Sequence, residues 1–263
     1  MSTINRENAM NKIKAFFARI GLDENTPVSY DAGFLGRVQT ACVTHIAYEN
    51  LDILSGKPLM LDNEALFDKI VQNGRGGYCF ELNGLLSGML SEMGFSVTER
   101  FARFLRGEKA LPMRRHRVTV VTLEDGDYFM DIGVGQIAPR LPIKMEEHLV
   151  QTQNGETYRF ERDARHGWVL WELYHGAWRE YLAVPNDIAY PIDFVQPSFF
   201  CEKHPESVFN KQYMIAIKTE TGRKTVDAST YKVFEGETLK EIRENLTENE
   251  ISEILKTHFL LKV

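Results

Sequence analysis

Over roughly the first ninety residues, apolar side chains recur at helical spacing. Ile13, Phe16, Phe17 and Ile20 share one face, and Gly21 follows as a stop. A second helix opens after Pro27, with Ser29 or Asp31 as its cap and Phe34, Leu35 and Val38 on one face. The stretch LDNEALFDKIVQNG predicts a third, capped by Asp62, sharing Leu66 and Ile70 on a face and ended by Gly74. A fourth, CFELNGLLSGMLSEMG, aligns Leu82, Leu85, Leu86 and Leu90.

After Gly94 the period shortens. FSVTERFARFL, RVTVVTLED and DYFMDIGV are rich in β-branched and aromatic residues, with a hairpin turn at Glu124–Asp127. WVLWELY and AWREYLAV flank a second turn at His175-Gly176. Antiparallel strands between about 95 and 185 predict a small barrel or a strongly curved sheet. Beyond them YMIAIKTE and KTVDASTYKVFEG predict strands around a turn at Thr221-Gly222. TENEISEILKTHF predicts a closing helix, with Thr247 and Glu250 in capping-box spacing and Ile251, Ile254 and Leu255 on its apolar face.

Composition narrows the function classes. The chain has 263 residues, 43% hydrophobic and 11% aromatic, which is a packed protein large enough to fold without crosslinks. A formal net charge of −6 argues against a nucleic-acid partner. No apolar run approaches membrane-spanning length and no secretory leader is evident, so a cytoplasmic protein without a membrane partner is expected. Three scattered cysteines, Cys42, Cys79 and Cys201, show neither metal-ligand nor disulfide spacing, so no metal is expected.

Cys79 alone has a chemical setting. Gly74-Arg75-Gly76-Gly77-Tyr78 leads into it, and the helical pattern begins there. Unpaired N–H groups at a helix start favour a thiolate, so a lowered thiol pKa is expected. His116 heads the strand RVTVVTL, 37 residues after Cys79, and Asp131 follows 15 residues later in the return strand. A hairpin closed at 124–127 brings the two regions together, so the carboxylate can orient the imidazole and the imidazole can serve the thiol. Cys-His-Asp is the order of a thiol-protease type of constellation, although the spacing does not match the papain family. A structural role is expected for His45. No HExxH, GxSxG or Walker-type phosphate loop occurs.

RGGYCFELNGLL resembles the active-site segment of the arylamine N-acetyltransferases, and IAYENLDILSGKPLMLD resembles that family's upstream run. The two intervals also fit its triad. The resemblance implies an α+β fold in three parts: a helical bundle over 1–94 holding the cysteine, an antiparallel β-barrel over 95–190 holding His116 and Asp131, and an α/β lid over 191–263. It implies ping-pong acetyl transfer from acetyl-coenzyme A, through Cys79, to an aromatic amine, hydrazine or hydroxylamine. Tyr48 and Val134 fall where the family lines its acceptor pocket, and Ser207 in a region associated with coenzyme A. Val134 replaces a usual Phe, which widens the pocket. Lys203 stands in a segment that departs from the family pattern and could meet a phosphate, as could Arg114–Arg117. The same triad also suits a thiol hydrolase or transglutaminase-like enzyme, and the departures admit a paralogue that binds aromatic molecules without turnover.

Overall fold

The computed structural model describes residues 3–263. Helices come first: α1 (Thr3–Arg19), α2 (Ala32–His45), the short α3 (Leu51–Leu54) and α4 (Asn63–Phe67), and α5 (Cys79–Glu92). Asp31 is the cap of α2, accepting from the Phe34 N–H at 2.7 Å. The Ser29 hydroxyl and that N–H hold its carboxyl below the usual range. Asp62 caps α4 through the Ala65 N–H at 3.0 Å. The chain then widens into a π turn over Asp68–Gln72 and stops at Gly74, where φ is +62°. Phe16, Phe34, Leu66, Leu86 and Leu90 are fully buried in the core these helices share with Val121 and Met130.

Eight strands follow: β1 (Ser96–Phe104), β2 (His116–Leu123), β3 (Gly126–Met130), β4 (Ile143–Lys144), β5 (Gln151–Gln153), β6 (Glu156–Asp163), β7 (Gly167–Tyr174) and β8 (Ala177–Val184). They form one antiparallel, nearly closed sheet in the order β4-β3-β2-β1-β8-β7-β6-β5. Both expected hairpins are present. Leu123 pairs with Gly126, and Tyr174 pairs with Ala177. In the second, His175 and Gly176 take φ of +48° and +80°, the sign a two-residue type I′ turn needs.

The edges β4 and β5 are joined by side chains in place of a ladder. The Gln151 amide accepts from Lys144 N–H at 2.8 Å and donates to Lys144 C=O at 3.0 Å. Gln153 does the same for Leu141. Two glutamines thus satisfy backbone groups that would otherwise form an open edge. Phe129, Phe160, Leu170 and Leu182 fill the interior.

The last part contains α6 (Val195–Lys203), the antiparallel meander β9 (Met214–Lys218), β10 (Gly222–Asp227), β11 (Thr230–Glu235) and β12 (Thr238–Arg243), and α7 (Glu248–His258). The Thr247–Glu250 capping box forms as expected. Ile251, Ile254 and Leu255 pack on Ile215, Ile217 and Val226. KTVDASTYKVFEG, expected as one strand, is broken at Ala228 (φ +48°) into β10 and β11. The pattern also missed β6, which buries only Tyr158 and Phe160 among charged neighbours, and α6, whose Pro197 obscures its first turn. No described helix is long and apolar enough to cross a membrane.

Candidate active site

The glycine turn before α5 lies against the segment 47–50. Glu49 N–H donates to Gly77 C=O at 2.9 Å, and Tyr48 exchanges backbone bonds with Ala216 of β9 at 2.9 and 3.0 Å. A Cβ on Gly76 would sit 2.2 Å from the Ala47 carbonyl oxygen, so this approach requires glycine. Charged side chains brace the turn. Arg75 bonds Glu49 at 2.9 Å and Asp52 at 3.1 Å, while Lys69 bonds Asp52 and Glu81, each at 2.7 Å. Glu81 accepts in turn from the Tyr78 N–H at 3.2 Å, capping α5. Burial pushes the Glu81 carboxyl up to about 7 against the pull of Lys69.

Cys79 is the first residue of α5 and only 3% exposed. The expected direction of its acidity is reversed. Burial pushes the thiol well above its ordinary value, with Cys201 and Asp131 adding repulsion, and this outweighs the backbone bonds from Phe80 and Arg117. Desolvation of the charged form exceeds what a helix start returns. Burial likewise raises Cys42 to about 12 and Cys201 to about 11. Cys201 lies in α6 and shares an apolar cluster with Cys79, Tyr78 and Phe80.

His116 opens β2, and Asp131 follows the last residue of β3. Met130 pairs with Thr119. One step further along the hairpin, Asp131 faces Val118, and His116 lies two residues on, pointing to the same side. His116 Nε2 is 2.6 Å from Asp131 Oδ2, both essentially inaccessible to solvent. Asp131 Oδ1 accepts from Gly133 N–H and Asn83 Nδ2, each at 2.8 Å. Asn83 also donates to Arg117 C=O and accepts from Ile132 N–H at 2.9 Å. It lies four residues after Cys79, on the same face of α5. That spacing is the signal by which sequence alone could have found it.

Cys79 and His116 open on a cavity of about 540 Å³ that also touches Tyr48, Phe104, Val134, Phe209 and Phe234. Gly133 lies on the same wall, where a Cβ would stand 2.7 Å from Cys79 Cα. The sequence model of a family described as N-acetyltransferase matches residues 32–263. Over 79% of its length the chain is 36% identical to the arylamine N-acetyltransferase of Mycolicibacterium smegmatis, covering 77% of that protein. The chain belongs to the arylamine N-acetyltransferase family. It is accordingly an acyltransferase.

Among other arylamine N-acetyltransferases, the Escherichia coli (strain K12) protein is 32% identical over 80% of this chain and 74% of its own. The Salmonella typhimurium structure superimposes with a TM-score of 0.89 at 26% identity, over 95% of this chain and 91% of that one. The Mycobacterium marinum structure, in complex with CoA, gives 0.86 at 28% identity, over 94% and 92%.

Measured against the family expectations, the structure brings Tyr48 and Val134 to the cavity but not the two coenzyme candidates. Ser207 is buried and its hydroxyl donates to Cys201 C=O, so it has no free donor to offer. Lys203 donates to Gly56 C=O at 3.1 Å, outside the cavity lining. Of the Arg114–Arg117 cluster, Arg115 lines the cavity, whereas Arg114 pairs with Asp187 on the surface. Arg117 is buried, bonded to Glu99 and to Phe80 C=O, with its guanidinium over the Phe194 ring. Arg106 and Lys232, which the sequence reading did not single out, join Arg115 in the lining. His45 is held by Ala41 C=O and Thr44, as a structural histidine should be.

Proposed function

We propose that the chain transfers an acetyl group from acetyl-coenzyme A to Cys79, and from Cys79 to the nitrogen of an aromatic amine, hydrazine or hydroxylamine. The observation that carries this reading is the His116–Asp131 contact at 2.6 Å, in a cavity where Cys79 sits at a helix start. Asp131 occupies Nε2 and leaves Nδ1 to take the thiol proton. A thiol that burial makes less acidic ionises here only as half of an ion pair with imidazolium, so proton transfer and attack are coupled.

The Cys79 sulfur attacks the acetyl carbonyl. Backbone N–H groups at the α5 start stabilise the negative charge that develops on oxygen. His116 gives its proton to the departing thiolate, and the acetyl remains on Cys79. In the second half, His116 accepts a proton from the amine as its nitrogen attacks the acetyl carbon, and the thiol is restored. Arg106, Arg115 and Lys232 supply the cationic lining for the coenzyme's phosphates, partly offset by Glu108 and Asp227. Tyr48, Val134 and Phe104 offer the acceptor an apolar wall. We assign the chain to the cytoplasm, where acetyl-coenzyme A is available.

Initial rates with acetyl-coenzyme A and an aryl hydrazine, each varied against the other, test this reading. Parallel double-reciprocal lines are expected. Intersecting lines would sink the acetyl-cysteine route, and hydrolysis of simple amides with no use of acetyl-coenzyme A would favour the thiol hydrolase instead.

A further inference from the structure

A second cavity, of about 620 Å³, lies on the reverse face of the β9–β10 pair. Ala216 and Thr225 are register partners that face the Cys79 cavity, while the adjacent partners Ile217 and Lys224 face the other one. Successive strand residues point to opposite faces, so the same two strands wall both spaces.

The chemistry of this second space is unusual for a gap between packed elements. Arg140 lines it and is only 7% exposed, yet its guanidinium has one hydrogen bond, from Nη2 to Gly222 C=O at 3.0 Å. It forms no ion pair among the described residues, although a guanidinium has five N–H donors. Lys218 also lines the cavity; it is 3% exposed and bonded to Glu156. Lys224 adds a third cation, and among the described residues Glu220 is the one carboxylate in the lining. Arg140 opposes the charge on Lys218 while Glu156 draws on both, and Lys224 opposes the charge on His258. Glu156 attracts Arg140 but spends its bond on Lys218, so the remaining guanidinium donors of a mostly buried Arg140 are left for an anion to take.

Leu141, Ile217 and Leu260 supply the apolar part of the wall, beside polar residues such as Thr40, Thr44, Gln153 and Thr257, and the volume falls within the range of small-molecule pockets. A planar guanidinium fork matches a carboxylate bidentately, and the apolar wall suits a hydrocarbon attached to it. We infer that the cavity around Arg140, Lys218 and Lys224 is a second binding site, separate from the Cys79 cavity, for a small amphipathic carboxylate. This inference is independent of the acetyl-transfer reading.

Titration calorimetry of the full chain with hexanoate tests it. Saturable one-to-one binding is expected, and Arg140→Gln should weaken it by about tenfold or more, the equivalent of one charge-assisted hydrogen bond. Arg115→Gln and Lys232→Gln, in the other cavity, should leave it unchanged. Inorganic phosphate, which has charge but no apolar part, should bind about tenfold more weakly or not at all, and hexylammonium should not bind. Should Arg140→Gln not fold, Lys224→Glu gives the same reading, with a loss of binding expected. The inference is overturned by absence of hexanoate binding, by wild-type affinity in Arg140→Gln or Lys224→Glu, or by loss of binding in Arg115→Gln. Phosphate binding as tight as hexanoate would overturn the amphipathic ligand class.

Discussion

Replacing Asn83 with alanine tests how the buried hairpin end is held. The side chain donates to Asp131 Oδ1 and Arg117 C=O and accepts from Ile132 N–H, and all of these groups are buried. Asp131 keeps Gly133 N–H and His116, so its loss is partial. The Arg117 carbonyl and Ile132 N–H lose this partner outright. Leaving a buried donor or acceptor unmatched costs about 1–3 kcal/mol each, so Asn83→Ala should destabilise the fold by about 3 kcal/mol. Urea unfolding reads this as a lower midpoint at an unchanged slope. Acetylation of Cys79 should slow in the same variant, because Asp131 loses one of the bonds that fix its angle to His116. Asn83→Asp separates electrostatics from size: it sets a second buried carboxylate beside Asp131, whose protonated form the fold favours. That variant should lose stability as pH rises above the ordinary carboxylate range and regain it on acidification. A loss below about 0.5 kcal/mol in Asn83→Ala, with wild-type acetylation, would refute the role assigned to this network.

Three further changes probe the site from different sides. The Glu81 carboxyl is raised from its ordinary value to about 7, so the folded chain holds this proton more tightly than the unfolded one; its contribution to stability must therefore fall as pH rises from about 4.5 to 7, and Glu81→Gln should flatten that part of the wild-type profile in urea melts at stepped pH, whereas an unchanged profile would contradict the assignment. Gly133→Ala would place a Cβ 2.7 Å from both Cys79 Cα and Asn83 Nδ2, costing about 1–3 kcal/mol in thermal melts and slowing Cys79 acetylation; a wild-type variant would mean that this wall is softer than it looks. Val134→Phe should narrow the cavity beside Tyr48, lowering KM for single-ring hydrazines severalfold, through about 0.5–1.5 kcal/mol of aromatic contact, and raising it for two-ring amines; equal KM values would place the acceptor elsewhere.

Local chemistry explains what could be read in advance. Asp31, Asp62 and Thr247 announce helix starts because each short polar side chain satisfies a free N–H within its own segment. The Glu124–Asp127 and His175-Gly176 turns set the registers of their hairpins, and the first of these registers carries His116 towards Asp131. Properties that depend on distant partners were not legible. Ser207 could not be placed from its segment alone, because its hydroxyl turns inward and donates to Cys201 C=O, six residues away. Arg117 belongs to a run of basic residues but turns inward onto Glu99 and Phe80 C=O, while its neighbour Arg115 reaches the cavity. The direction of the Cys79 shift follows from burial by the surrounding apolar cluster, a tertiary quantity that outweighs the helix start visible in the sequence. The seam held by Gln151 and Gln153 is tertiary as well, since neither glutamine stands out from its segment.

Acetyl transfer through Cys79 is decided most directly by mass. The protein is mixed with stoichiometric acetyl-coenzyme A, digested and measured, and then treated with an aryl hydrazine. The account predicts a single acetyl group on the peptide containing Cys79, absent in Cys79→Ala and discharged by the hydrazine with formation of acetylhydrazide. An unmodified Cys79 peptide from a folded protein that nonetheless acetylates the hydrazine would contradict it.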